Sequence, residues 1–244
     1  MPDYRRSLGF TFLEGTKLRW EDLFREREEI APAPYFKSYP QAPQVPLPRV
    51  RPPAADLFEV LARRRSERIY ARRTLTLEEL SLLLWAAQGV TARAGRYLLR
   101  TAPSAGALYP IETYLSAHRV EGLEPGLYHL EIETWSLAQL SRGNFGPEIK
   151  EAALGQGFCE TAAAVFVWSA VPRRTMAKYG SRGLRYIFLD AGHLCQNMLL
   201  AAEALKLAAC PVGAFLDEAL NEIFGLDGEE ETVIYLATVG HPGR

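Results

Sequence analysis

Apolar positions along this chain fall into short stretches of two periods, separated by polar or proline-rich segments. Leu57, Val60 and Leu61 follow Asp56 at helical spacing, which predicts a helix over DLFEVLARRRS. Leu80, Leu83 and Leu84 repeat that spacing after Thr76. Thr76 and Glu79 stand as a capping box, and Gly89 supplies the stop. Residues 111–118 switch to strand alternation. Residues 126–132 and 135–140 predict a hairpin turning at Glu133 and Thr134, and 147–154 a short helix. Residues 162–171, AAAVFVWSAV, are apolar throughout, the signature of a central strand covered on both faces. A long helix around 185–207 is apolar on most sides. It needs cover from the core or a second subunit, and His193 is read there as a core or interface histidine. A small amphipathic helix over 216–225 and a buried strand over 232–239 close the pattern. Helices and strands mix without regular βαβ alternation, which predicts an α+β fold.

Residues 1–53 carry no such periodicity and read as an arm ahead of a domain spanning 54–244. Its first part offers a short helix in TKLRWEDLFREREEI. Its second part, APAPYFKSYPQAPQVPLPRVRPP, holds too many prolines for a helix and favours extended chain on the surface. Tyr35, Phe36 and Tyr39 within it point to docking on the body or on a partner subunit.

Composition narrows the function. A chain of 244 residues with 48% hydrophobic content can bury a sizeable core. A net charge of -1 excludes a molecule that binds nucleic acid or a membrane through its overall charge. The charge is uneven, however. Residues 49–100 hold eleven arginines against five acids, and 217–231 hold seven acids and no base. A local anion site in the first half is the expectation. Cys159, Cys195 and Cys210 are odd in number and form no CxxC, so they read as reduced, buried thiols of a cytoplasmic protein. The first ten residues lack the apolar centre of a signal peptide. No stretch reaches the ~20 apolar residues of a membrane span.

Candidate chemistry sits in four places. Arg64, Arg65, Ser66 and Arg68 combine guanidinium forks with a hydroxyl, the chemistry of a phosphate clamp; a solvated basic helix end has the same composition. TAPSAGALYP, residues 101–110, sets Pro103, Ser104, Ala105, Gly106 and Ala107 between stiffening prolines. Its backbone is open to a flat partner, or it is an ordinary loop. Lys178 and Tyr179, in the glycine-rich KYGSRG, offer a base and a proton donor, or an exposed loop pair. PVGAF, residues 211–215, reads as a tight turn of small residues. The four histidines have no metal-like spacing, and neither a GxxxxGK[ST] nor a GxSxG is present.

In order, RRSER, PSAGALYP, KYGSRGLRYIFLDAGHLCQN, PVGAF and VGHP resemble the FMN-dependent nitroreductase superfamily. More narrowly they resemble its SagB-type branch, which includes the azoline oxidases of peptide-modifying pathways. The resemblance spans residues 55–244. It implies a three-layer α+β fold with a mainly antiparallel central sheet flanked by helices, and a homodimer with FMN at the interface. It also implies that Arg64, Arg65, Ser66 and Arg68 hold phosphate and ribityl chain, with Gly240, His241 and Arg244 approaching from the C-terminus. Pro103, Ser104, Ala105, Gly106 and Ala107 line the flavin; Ala107 stands where many relatives carry asparagine. Pro211, Val212, Gly213 and Ala214 pack on the ring, while Gln196 and Asn197 reach towards it. Lys178 and Tyr179 are the implied catalytic pair, removing a proton while hydride passes to flavin N5. The implied substrate is a small molecule or peptide. The other expectations are an NAD(P)H-dependent nitro- or quinone-reductase, with NAD(P)H as electron donor, and a non-catalytic flavin-binding subunit of a biosynthetic complex. Neither nucleic acid nor membrane is an expected partner.

Overall fold

The computed structural model describes residues 3–23, 29–95 and 97–243. In chain order it runs α1 (Leu8–Gly15), β1 (Gln44–Pro46), α2 (Leu57–Arg63), α3 (Leu77–Gln88), β2 (Val90–Ala94), β3 (Tyr97–Arg100), β4 (Ile111–Ala117), β5 (Gly126–Glu131), β6 (Ser136–Arg142), α4 (Gly146–Ala152), α5 (Phe158–Thr161), β7 (Ala164–Ala170), α6 (Pro172–Tyr179), α7 (Gly183–Ala204), β8 (Ala208–Val212), α8 (Asp217–Phe224) and β9 (Thr232–Gly240). Seven strands form one sheet in the order β1-β6-β5-β4-β7-β9-β8, and every pairing is antiparallel. β2 and β3 form a separate ribbon.

The predicted central strand sits between β4 and β9, and its pattern follows from two covered faces. Ala164, Phe166, Trp168 and Ala170 join one core with Leu80, Leu83 and Leu84 of α3 and Leu194, Met198 and Leu199 of α7. Val165 and Val167 join the opposite core with Ile149 of α4 and Leu220 and Phe224 of α8. The result is a three-layer α+β fold with helices on both faces of an antiparallel sheet. The capping box forms as predicted: Thr76 Oγ1 accepts from the Glu79 N–H, and Glu79 accepts from the Thr76 N–H. All three cysteines are buried and free, and burial pushes the Cys159 and Cys195 thiols up to about 12.

Four local expectations are corrected. The first helix occupies Leu8–Gly15, capped by Ser7, with only a short 3-10 turn at Trp20–Leu23; the rest of its predicted stretch reaches residues outside those described. The arm is not merely a surface chain, because β1 pairs with β6 as an edge strand. β4 does not alternate between core and solvent; it is buried along its length because both faces are covered. The outer face of α7 carries Phe188 (54% exposed, edge-on to Phe12 of α1), Leu189 (58%), His193 and Gln196 in the single chain, the face for which the sequence expects a second subunit. Finally, Pro211 and Val212 belong to β8 rather than a turn. β8 is the other edge strand, where a proline costs no ladder hydrogen bond. Among the described residues, no helix is long and apolar enough to cross a membrane.

Candidate active site

The basic run begins where α2 ends. Arg64 leaves the helical conformation at φ -48, ψ 127, and its backbone N–H still bonds to the Val60 carbonyl. The chain then runs beside β8 and the C-terminal segment. The Glu67 N–H donates to the Ala209 carbonyl at 3.0 Å, the Ala71 N–H to His241 at 2.9 Å, and the Gly243 N–H to Ile69 at 2.8 Å. The backbone is therefore fixed while the side chains stay outside. Arg65, Ser66 and Arg68 are exposed and Arg64 is half-buried. Among the described residues none of these arginines has an acidic partner. Arg65 donates only to the Ala62 and Arg64 carbonyls and Arg68 to that of Ser66, while the Arg68 guanidinium lies 5.7 Å from the Phe158 ring centre. Fixed arginines without carboxylates are a seat for an external anion.

Gly240 and His241 lie along this run. The His241 ring is buried and faces Glu79 across 3.5 Å with no hydrogen bond at Nε2, so only its backbone meets the basic segment. Arg244 lies outside the described residues. Val212 is buried in β8, while Gly213 and Ala214 are exposed just beyond it. The Ala214 carbonyl accepts from Gln156 Nε2 at 2.9 Å. Gln196 is exposed on the outward side of α7, and Asn197 is half-buried.

The second group is the loop between β3 and β4. Gly106 (φ 64), Ala107 (φ 55) and Tyr109 (φ 44) all take left-handed backbone, which non-glycine residues adopt only when their surroundings impose it. Those surroundings are visible. Ser104 Oγ donates to Asp190 Oδ2 on α7 at 2.6 Å and accepts from the Tyr109 N–H at 2.9 Å. Burial raises the Asp190 carboxyl, opposed by its bonds from Ser104 and the Ala105 N–H. The Tyr109 hydroxyl accepts from the Arg100 N–H at 2.9 Å, and its ring lies 4.4 Å below the Arg100 guanidinium. The Tyr109 carbonyl accepts from Arg174 Nη1 at 3.2 Å. Tyr35 of the arm donates to the Ala107 carbonyl at 2.5 Å.

Lys178 and Tyr179 do not lie in a glycine-rich turn. They are the last two residues of α6, which Gly180 terminates at φ 56. Their side chains come to the loop. A Cβ built on Gly106 would stand 2.7 Å from Tyr179 Oη and 2.9 Å from Lys178 Nζ, so with φ 64 this position favours glycine, and a larger residue must push the ends of both side chains aside. The Lys178 ammonium lies 5.2 Å from the Tyr179 ring centre, and Tyr179 packs edge-on against Tyr186. Lys178 is exposed and Tyr179 half-buried in the single chain.

Behind the loop is a buried charge cluster that sequence reasoning missed. Arg174 of α6 pairs with Glu112 of β4 at 2.6 Å, and His129 Nε2 lies 3.0 Å from the other Glu112 oxygen. Burial would raise the Glu112 carboxyl, but His129, Arg174 and Arg100 override it and hold it down at about 2. The only signal in the sequence is a glutamate inside a strand apolar on both sides.

The two groups stand apart within one chain. Ser104 meets α7 at Asp190, and Arg63, beside the basic run, meets it at Glu203. Those two contacts are roughly 20 Å apart along the helix at its rise per residue.

A three-layer α+β fold, with arginines that have no acidic partner among the described residues near the C-terminal end of α7 and a strained small-residue loop at Asp190, sets the class to compare. A nitroreductase family model matches residues 61–241, and the chain belongs to the nitroreductase family. Members are generally flavin-dependent oxidoreductases. A Methanocaldococcus jannaschii protein with a provisional nitroreductase name is 41% identical over 184 residues, covering 75% of this chain and 90% of that protein. The trifolitoxin-processing protein TfxB of Rhizobium leguminosarum bv. trifolii is 26% identical over 240 residues, 88% of this chain and 62% of its own length. The crystal structure of an Anabaena variabilis protein, also provisionally named a nitroreductase, superposes with a TM-score of 0.71 at 33% identity. It covers 84% of this chain and 42% of that one. This chain thus spans under two thirds of TfxB and under half of the Anabaena protein.

Proposed function

We propose that this chain is an FMN-dependent oxidoreductase of the SagB type, working as a homodimer with each flavin between two protomers. The observation that carries it is the convergence of Lys178 and Tyr179 on Gly106. A base, a proton donor and an exposed backbone wall meet there, around a left-handed glycine whose added Cβ would press on the ends of both side chains. The residues also suit the cofactor. Arg64, Arg65, Ser66 and Arg68 offer donors with no internal acid to satisfy, as a phosphate requires. The roughly 20 Å between the groups along α7 supports a site in which one protomer gives the arginines and the other the loop. Family members commonly form dimers, and the outward Phe188 and Leu189 supply apolar surface for one.

When bound, FMN supplies a two-electron acceptor for hydride at N5, which O2 or another external acceptor restores. The protein's part is to orient and to move a proton. Lys178 Nζ would take a proton from one ring carbon of an azoline while the adjacent carbon gives up its hydrogen with the bonding pair, as hydride, to that acceptor, leaving an aromatic azole. Tyr179 holds the substrate's polar edge. Lys178 is exposed in the single chain, so its desolvation comes from the partner protomer and the substrate. The relationship to a toxin-processing protein supports a peptide substrate. The more similar archaeal relative favours a second reading, an NAD(P)H-dependent nitro- or quinone-reductase.

One experiment separates them. The purified protein is expected to carry flavin absorbance near ~450 nm. Under the first reading Lys178→Ala retains that absorbance and loses azole formation. Under the second, NADPH bleaches the flavin and nitroaromatic turnover survives Lys178→Ala. Colourless protein that does not take up FMN contradicts both.

A further inference from the structure

We propose that the proline-rich arm completes a substrate pocket, and that its occupant is an uncharged aromatic or large apolar group. This rests on reading the Lys178 side of the loop as the reacting side. A cavity of about 410 Å³ opens between the arm and the loop, lined by Pro32, Ala33, Tyr35, Phe36, Tyr97, Leu108 and Arg174. That is the size of a small-ligand pocket. Its wall is shared with the site: Leu108 directly follows Ala107 and lies two residues from Gly106, where Lys178 and Tyr179 converge.

The chemistry of the lining selects the occupant. Three aromatic rings surround it, with Tyr35 edge-on to Phe36 at 4.8 Å and to Tyr97 at 6.2 Å. The one cation in the lining is already engaged. Arg174 gives Nη2 to Glu112, Nη1 to the Tyr109 carbonyl at 3.2 Å and Nε to the Pro34 carbonyl at 2.6 Å. Its charge is balanced by a buried carboxylate, so it has little to offer a second anion. The Tyr35 hydroxyl is held by the Ala107 carbonyl. Apart from the Tyr97 hydroxyl, what remains is ring face and aliphatic surface with no free charge, which favours stacking and apolar contact. The arm also does a second thing here. Tyr35 ties the pocket wall directly to Ala107, and the Pro34 carbonyl ties it through Arg174 to Tyr109, so a group seated in the pocket is registered against the reacting side.

The test is binding of indole to the full chain, followed by ligand-observed NMR, with phenylacetate and benzylamine as charged probes of similar size. Indole is expected to bind at millimolar concentration and to outcompete both charged probes. Leu108→Trp and Ala33→Leu fill the cavity from opposite walls, and each is expected to weaken indole at least tenfold. Flavin absorbance of the same samples reports separately on the cofactor reading, so colourless protein that still binds indole keeps the pocket and removes the flavin. Ala33→Leu changes a half-buried arm residue, so it serves if Leu108→Trp does not fold. Indole binding unchanged by Ala33→Leu, or tighter binding of phenylacetate, overturns the proposal.

Discussion

The arginine run at Arg64–Arg68 and the loop at Pro103–Tyr109 solve opposite problems. In the run the backbone is tied down, by hydrogen bonds to Ala209, His241 and Ile69, so that the side chains can be spent on something else. In the loop the side chains are spent. Ser104, Tyr109 and the borrowed Tyr35, Arg100, Arg174 and Asp190 all act to hold a backbone in left-handed conformations and present it. The first design leaves charge in solvent and needs few neighbours. The second draws on β3, α6, α7 and the arm, and hides its supports in the core. A change at the run should therefore remove a ligand contact with little effect on the fold, while a change behind the loop should act on the fold first.

The largest expected effect is at Glu112. Glu112→Ala leaves Arg174 and His129 facing each other without a counter-charge in the core, and should destabilise the protein by about 3–5 kcal/mol in urea unfolding. The same carboxyl gives a pH signature. Its value in the folded protein is about 2 against an ordinary 4.5, a depressed carboxylate. Its contribution to stability is therefore complete above pH ~4.5 and is lost as pH falls towards 2. The pH dependence of the urea midpoint in that window should flatten in Glu112→Gln; an unchanged slope would remove Glu112 from its cause.

Next comes Gly106→Val. It adds a Cβ within 3 Å of both Lys178 Nζ and Tyr179 Oη and puts a β-branched residue at φ 64. The left-handed conformation alone costs roughly 1–2 kcal/mol, and relief of the contact must displace the pair. We expect a modest loss of stability with a much larger loss of flavin retention on gel filtration. The smallest effect is at Tyr35→Phe, which removes one hydrogen bond to the Ala107 carbonyl and should cost about 1 kcal/mol. Unaltered stability there would mean that the arm does not brace the loop.

That contrast also explains what was legible in the sequence. The arginine run could be read directly, because its residues act through their own chemistry. β7 could be read because nine of the ten residues from 162 to 171 are apolar and leave no polar face, and α3 because its cap is local. The loop's small residues were visible, but what gives them shape was not. Glu112 and Arg174 are 62 residues apart in sequence, and neither has a local pattern. Tyr35 reads from the sequence as a docking residue, but its partner, the Ala107 carbonyl 72 residues away, has no local pattern that names it. Lys178 and Tyr179 were found as residues but assigned to a turn, because Gly180 and Gly183 suggested one when only Gly180 ends the helix. Pro211 reads as part of a turn because a proline in an edge strand looks the same in sequence as a proline in a loop.

The central claim, that one protomer's arginines and the other's loop complete each site, can be tested by mixing two variants. Arg64→Ala/Arg68→Ala lacks the clamp and Gly106→Val lacks the loop, and each should lose flavin on gel filtration. If the site spans two protomers, subunit exchange between them creates heterodimers with one intact site and one doubly damaged site. Flavin absorbance near ~450 nm should then return to a substantial fraction of wild type. If every site lies within a single chain, the mixture stays as colourless as its parents.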